Sequence, residues 1–118
     1  MTETSPRTPP SASAPGGTAK LAGRTVARIG FGVMQLERAA SGREAPIAVL
    51  RQAVRGGVNH LDTAQFYGAG ICNGLIHDAL APYPDDLVLV TKVGADNGTD
   101  GALVAAQRPE QLRAQVEA

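Results

Sequence analysis

The stretch GVNHLDTAQFYG, residues 57–68, decides the fold of this chain. It begins as a short apolar strand, Val58 to Leu61, and ends in a polar loop bounded by glycine. That loop carries a carboxylate, Asp62, and a phenol, Tyr67. In parallel α/β proteins the side chains at the carboxyl ends of the strands line the open face of the sheet, where catalytic groups gather. The stretch therefore predicts a strand whose carboxyl end carries chemistry.

Strand and helix patterns alternate on both sides of this stretch. A hairpin is predicted at residues 20–28, a first strand at 29–36 and a third strand at 87–90. Apolar residues at helical spacing follow the first strand, follow Gly70, and begin again at Pro109. Alternation of this kind is typical of βαβ units, so we expect an α/β fold with a parallel sheet. The Gly/Asn/Asp-containing segment 95–106 is predicted to be a loop.

Composition limits what the chain can be. Its 118 residues suffice for one modest domain. Residues 1–17 are rich in Ser, Pro and Ala and predict a disordered tail, which leaves residues 18–118 as the folded part. Lys plus Arg number 11 and Asp plus Glu also 11, so no electrostatic footprint indicates nucleic acid or a membrane surface.

Cysteine content and hydropathy point to the cytoplasm. The single cysteine, Cys72, excludes an internal disulfide and is predicted to be a small buried apolar residue. No apolar run approaches the roughly 20 residues of a membrane span. The amino terminus also lacks the apolar segment of a signal peptide. No set of His, Asp and Glu residues has the spacing of metal ligands, so no metal site is expected.

Three polar side chains stand at strand ends and form the candidate site. Asp62 follows the second strand, Tyr67 lies just beyond it, and Lys92 follows the third strand. Neighbouring parallel strands bring these ends together. An ammonium favours the charged form of a nearby phenol, and a carboxylate can hold the lysine in place. Tyr67, Lys92 and Asp62 thus predict a proton donor for a carbonyl oxygen that receives hydride.

Other interpretations of these residues remain open. Lys92 at a strand end could form a Schiff base, although that scheme gives Tyr67 and Asp62 no role. His60 is expected to be a hydrogen-bonded core histidine rather than a catalytic one. Gly30 and Gly32 within a strand indicate that something approaches the backbone closely, either a ligand or a crowded neighbouring strand.

These residues resemble a known family. The stretch VNHLDTAQFYG, residues 58–68, looks like the signature of the aldo/keto reductases; GFGVM at 30–34 resembles their first barrel strand, and LVTK at 89–92 resembles their third. The resemblance implies an NADPH-dependent oxidoreductase that reduces a small aldehyde or ketone. Tyr67 would be the general acid, Lys92 the neighbour that makes the phenol more acidic, and Asp62 the residue that positions Lys92. Asp62 would also lie at the cofactor, with Gly32, Val33 and Met34.

The resemblance also implies a (β/α)8 TIM barrel, a fold of about 250 residues. This chain supplies about three βα units preceded by a β-hairpin. We therefore expect it to be an N-terminal fragment, a partial barrel with little or no activity alone. The alternative is a non-catalytic product that acts as an interaction module by pairing its open sheet edge with another chain. The oligomeric state and the identity of the carbonyl substrate do not follow from the sequence.

Overall fold

The computed structural model describes residues 14–38 and 42–118, so residues 1–13 of the predicted tail lie outside the described part. The strands and helices run as follows: β1 (Thr18–Leu21), β2 (Arg24–Ala27), β3 (Phe31–Gly32), α1 (Glu44–Arg55), β4 (His60–Asp62), α2 (Ile71–Leu80), β5 (Val88–Val90), β6 (Ala95–Asn97), β7 (Leu103–Ala105) and α3 (Pro109–Glu117). Two 3-10 turns, Met34–Arg38 and Tyr67–Gly70, follow β3 and precede α2. The predicted alternation of strands and helices is therefore observed.

The central sheet is parallel, in the order β3-β4-β5. Asp62 lies opposite Gly32 on one side and opposite Val90 on the other. The first strand is shorter than the predicted 29–36, because the chain leaves the sheet after Gly32 and enters the Met34–Arg38 turn. The amide of Val33 donates a last ladder hydrogen bond to the Asp62 carbonyl at 3.1 Å. The carboxyl ends of all three strands consequently lie at one edge of the sheet.

The predicted hairpin is present at the start of the described chain. β1 and β2 pair antiparallel, with Leu21 opposite Arg24 across a turn at Ala22 and Gly23. Both turn residues have positive φ, 51° and 78°, as tight two-residue hairpins require. Residues 14–17, which the composition placed in the tail, are hydrogen-bonded beside this hairpin: the Gly17 carbonyl accepts from the Arg28 amide at 2.9 Å.

The core lies between one face of the parallel sheet and the helices α1 and α2. Its members are apolar side chains less than 9% exposed: Val33, Leu50, Val58, Leu61, Cys72, Leu75, Ile76, Ala79 and Leu87. Cys72 is fully buried, as predicted. Leu61 occupies the helix-facing side of β4, so the alternation along a strand sends His60 and Asp62 to the opposite face. The polar residues of β4 are thus directed away from the core.

The prediction of a loop at residues 95–106 is wrong, because this segment forms the antiparallel hairpin β6–β7. The turn-forming residues occupy only its tip. There the Gly98 amide donates to the Ala102 carbonyl at 2.7 Å, and Asp100 accepts from the Ala102 amide at 3.0 Å. The segment was predicted as a loop because turn-forming residues dominate its composition. Its two strands have three residues each and are too short to show a periodic pattern.

Within the described ranges, no helix is both long enough and apolar enough to cross a membrane.

Candidate active site

Three side chains meet at the carboxyl ends of β4 and β5. The Nζ of Lys92 donates to Oδ1 of Asp62 and, at 3.0 Å, to the carbonyl of Thr63. The same Nζ lies 4.7 Å from the centre of the Tyr67 ring. The structure thus brings together Asp62, Lys92 and Tyr67, the three residues that the sequence pattern singled out for catalysis.

The local chain path explains why these side chains meet. The Thr63 amide donates to the Val90 carbonyl at 2.8 Å, which keeps residue 63 beside the end of β5. Tyr67 then starts a 3-10 turn in which Gly68 and Ala69 have left-handed φ angles of 63° and 52°. Those two residues reverse the chain into α2, so Tyr67 remains at the strand ends and packs against the rim of the core.

Charge interactions at the site favour a protonated lysine. Partial burial alone lowers the pKa of Lys92 and is the largest single influence. The hydrogen bonds and charges of Asp62 and Tyr67 together outweigh it, so the pKa of Lys92 is raised above its ordinary value. The Lys92 side chain is 37% exposed and that of Asp62 54% exposed, so the pair is open to solvent and to ligands. Lys92 is held here as a cation.

The predicted cofactor residues lie beside this pair, with different exposures. Gly32 is the register partner of Asp62, and a Cβ at Gly32 would meet nothing within 4 Å. Met34 is 43% exposed at the turn that follows. Val33 is fully buried, and its amide and carbonyl are hydrogen-bonded to Asp62, Leu36 and Cys72. The backbone at Gly32 is therefore open to a ligand beside Asp62.

Gly30 has a different neighbour. A Cβ there would lie 2.6 Å from Cδ2 of His60, so the histidine ring occupies the space that the glycine leaves. The glycines were predicted to allow close approach by either a ligand or a crowded neighbouring strand. At Gly30 the neighbouring strand makes that approach, whereas Gly32 faces open space. The expectation of a hydrogen-bonded His60 is wrong for Nδ1, which is buried and has no hydrogen-bond partner among the described residues.

Neutral amide side chains that the sequence pattern did not indicate support the site from behind. Asn97 donates to the Phe66 carbonyl at 3.1 Å, next to Tyr67. Gln115 accepts from the Gly94 amide and donates to the Ala95 carbonyl, both at 2.8 Å, just beyond Lys92. Asn73 joins Thr63 to Gln65. Asn and Gln occur on any solvated surface, so no local signal marks these residues as supports.

Two further features lie near the site. Burial, followed by the charge of Glu37, raises the pKa of the Cys72 thiol, which donates to the Val33 carbonyl at 3.3 Å. A cavity of about 980 Å³ separates α2 from α3 over the outer face of β5, where it is lined by Ile76, Leu89 and Val116 and reaches Lys92. No group of three or more His, Cys, Asp or Glu side chains that could hold a metal occurs among residues 14–38 and 42–118.

Comparison with known proteins gives a consistent result. The sequence model of the Aldo/keto reductase family matches residues 28–118. Pyridoxine 4-dehydrogenase from Escherichia coli (strain K12) is 44% identical over 103 residues, which are 81% of this chain and 35% of that protein. The uncharacterized oxidoreductase YqkF from Bacillus subtilis (strain 168) is 31% identical over 78 residues, 64% of this chain and 24% of that protein. The chain thus spans about a third or less of the length of these relatives.

Solved structures show the same likeness. The Pseudomonas aeruginosa protein PA4992 superposes with a TM-score of 0.67 at 27% identity, over 80% of this chain and 36% of that one. The aldo-keto reductase AKR11C1 from Bacillus halodurans superposes with a TM-score of 0.61 at 28% identity, over 72% of this chain and 28% of that one.

Proposed function

The chain belongs to the aldo/keto reductase family, and from this premise we propose that it carries the proton-donor part of an NADPH-dependent reductase of aldehydes or ketones. The observation that supports the proposal is the contact of Lys92 with Asp62, the Thr63 carbonyl and the Tyr67 ring. We further propose that the sheet β3-β4-β5 forms part of an eight-stranded barrel, and that the protein acts in the cytoplasm.

When bound, NADPH would supply the hydride that the carbonyl carbon of the substrate accepts, and it would be left as NADP+. The Tyr67 hydroxyl donates its proton to the carbonyl oxygen as negative charge develops there. The Lys92 ammonium, beside the Tyr67 ring, stabilises the phenolate that remains. Asp62 and the Thr63 carbonyl hold that ammonium through hydrogen bonds. The product is an alcohol, and Tyr67 recovers its proton from solvent.

Gly32, Met34 and Asp62 are the residues proposed to lie against the nicotinamide. The open space at Gly32 would let the ring approach the backbone beside Asp62. Val33 is fully buried, so it would lie behind these residues and support them without touching the ring.

The Schiff-base alternative is less well supported. A nucleophilic lysine must be neutral, and lysines of that kind have a lowered pKa. The pKa of Lys92 is raised instead, and its ammonium is bonded to Asp62. A cationic role therefore suits this side chain better.

A hybrid protein tests the proposal, since the 118-residue chain is expected to show little turnover by itself. Residues 28–118 of this chain would replace the aligned segment of the E. coli pyridoxine 4-dehydrogenase. NADPH-dependent reduction would then be followed with a panel of aldehydes and ketones, beginning with the aldehyde of pyridoxine because of that relative's name. We expect Tyr67→Phe to lower kcat by about 100-fold or more, the usual size of a general-acid contribution.

The control is the other tyrosine, Tyr83, which is 43% exposed on the cavity rim. Tyr83→Phe is expected to leave kcat unchanged. An active hybrid in which Tyr67→Phe and Tyr83→Phe behave alike would refute the assignment of Tyr67.

The second candidate function, an interaction module, is supported by the uncovered outer face of β5. Leu89 is 39% exposed there, and Val116 of α3 is 71% exposed across the cavity. Gel filtration of the 118-residue chain with a cell extract would distinguish the two functions. A monodisperse complex of defined composition favours the module, and a chain that elutes alone opposes it.

A further inference from the structure

Thr63 is held from two sides at the centre of the site. Its carbonyl accepts from Lys92 Nζ at 3.0 Å. Its hydroxyl points the other way and donates to Oδ1 of Asn73 at 2.7 Å. Thr63 is only 5% exposed, so the residue between the two bonds is itself buried. A residue of α2 is therefore linked to the lysine through a single amino acid.

Asn73 also holds the chain closer to the tyrosine. Its Nδ2 donates to Oε1 of Gln65 at 2.9 Å, two residues before Tyr67. Gly70 makes room for this contact, since a Cβ at Gly70 would lie 3.1 Å from Nε2 of Gln65. One amide on a helix thus bonds two points of the segment 63–66, which connects Asp62 to Tyr67.

The usual local role of an asparagine at the start of a helix does not account for these bonds. The N-cap position of α2 is Gly70, and no side chain caps the helix there. Both polar atoms of the Asn73 amide are directed at the loop instead. Only an amide that accepts from one neighbour while donating to the other satisfies Thr63 and Gln65 in their observed orientations.

We propose that Asn73 is a positioning residue of this site, which acts through Thr63 and Gln65 to keep the Tyr67 ring beside the Lys92 ammonium. The inference rests on the proposed function for its catalytic meaning, but the geometry it describes can be measured without turnover. Without Asn73, Thr63 keeps its backbone bond to Val90 and Phe66 keeps its bond to Asn97, but the segment 63–66 loses the two side-chain bonds that tie it to α2. Lys92 then keeps Asp62, while the Thr63 carbonyl and the Tyr67 ring are held less closely.

The experiment is NMR on the 118-residue chain. The Lys92 Nζ lies over the Tyr67 ring, 4.7 Å from its centre. The ring current should therefore move the resonances of the methylene protons next to Nζ upfield, and Tyr67→Leu gives the unshifted reference. We expect Asn73→Ala to remove at least half of that upfield shift. Asn73→Asp should restore it, because the carboxylate accepts from Thr63 and a rotated Gln65 amide can donate to it.

The matched control is His77→Ala on the same helix, where the exposed ring pairs with Asp78 and contacts the Tyr83 ring. It is expected to leave the Lys92 resonances unchanged. If Asn73→Ala does not fold, Thr63→Val removes the hydroxyl from the opposite partner at nearly constant shape and should give the same loss of shift. A folded Asn73→Ala or Thr63→Val chain with the full upfield shift overturns the proposal, and so does an Asn73→Asp chain that behaves like Asn73→Ala.

Activity separates this inference from the proposed function. In the hybrid enzyme, Asn73→Ala should lower kcat about tenfold with little change in the KM for NADPH, and Asn73→Asp should recover most of it. If Tyr67→Phe abolishes turnover while Asn73→Ala changes neither kcat nor the Lys92 resonances, the reductase function stands and the positioning role fails. If the Lys92 resonances depend on Asn73 but Tyr67→Phe does not affect turnover, the positioning role stands and the proposed function fails.

Discussion

The two ends of β4 differ in the way they use polar side chains. At the amino end, Asn59 is 1% exposed and makes three hydrogen bonds: it accepts from the Ala27 amide at 2.8 Å and donates to the carbonyls of Thr25 and Asp86 at 3.1 and 3.0 Å. At the carboxyl end, the Asp62 side chain is 54% exposed and pairs with Lys92 in contact with solvent. The polar side chain at the amino end of β4 is therefore buried and bonded to backbone, whereas the one at the carboxyl end is open to solvent.

The difference shows how stability and chemistry are divided along a strand. The amide of Asn59 joins the hairpin β1–β2 to the parallel sheet, so its bonds contribute to folding. The cluster at Asp62 and Lys92 stabilises the fold little, because exposed ion pairs are weak. It leaves a cation, a carboxylate and a phenol open to a ligand. In barrels of parallel strands the amino ends generally serve stability and the carboxyl ends catalysis.

The largest expected effect is at the amino end. Asn59→Leu removes three buried hydrogen bonds and leaves the Ala27 amide without that acceptor, so we expect a loss of about 3 to 5 kcal/mol in the free energy of unfolding. Asp62→Asn, the matched change at the carboxyl end, should cost less than about 1 kcal/mol. Urea denaturation followed by circular dichroism measures both. Equal losses at the two ends would show that the proposed division does not exist.

Gly30, which lies just before β3, and Gly32, the last residue of β3, allow a similar comparison. Gly30→Ala places a methyl group against the His60 ring and should cost about 2 kcal/mol, as overpacking of a core usually does. Gly32→Ala meets nothing within 4 Å and should leave the unfolding free energy almost unchanged. The measurement is again the urea midpoint. His60→Ala in the Gly30→Ala background should recover part of the loss, and no recovery would mean that the clash lies elsewhere.

A smaller effect is expected from two alanines whose backbone is in the left-handed conformation. Ala22 in the β1–β2 turn has φ 51°, and Ala69 beside Tyr67 has φ 52°. Glycine adopts this conformation without strain, so each Ala→Gly change should raise the free energy of unfolding by about 0.5 to 1 kcal/mol. If Ala22→Gly stabilises the chain and Ala69→Gly does not, the contacts of Ala69 with its neighbours at the site offset the strain of its left-handed backbone.

The smallest effect is the pH dependence of the Lys92 contribution. Its pKa is raised in the folded chain, so its stabilisation is complete below the ordinary lysine value of about 10.4 and is lost as pH rises through the folded value. We expect Lys92→Met to cost a few tenths of a kcal/mol at about pH 8, with the cost falling away as pH rises through the raised pKa of Lys92. Urea midpoints of both chains from about pH 8 upward give the result. A cost that grows with pH would contradict the raised pKa.

Much of the fold could be predicted because its signals are local. The apolar stripe of α1 contains Leu50, the run at 87–90 forms β5, and Pro109 begins α3. Hairpin β6–β7 could not be predicted, since turn residues dominate its composition and its strands are short. The first strand was predicted too long, because Val33 is apolar for a reason that a strand pattern does not show: its side chain enters the core after the strand has ended.

For the candidate site, the sequence by itself determined which residues stand at the strand ends. Asp62, Tyr67 and Lys92 follow from the order of strands, since parallel neighbours bring their carboxyl ends to one edge. Only the tertiary structure decided what supports them and what surrounds the glycines. Asn73, Asn97 and Gln115 act through hydrogen bonds to residues 8 to 31 positions away in the sequence. An amide side chain carries no periodic or compositional signal, so its partner is known only when the folded chain brings the two together.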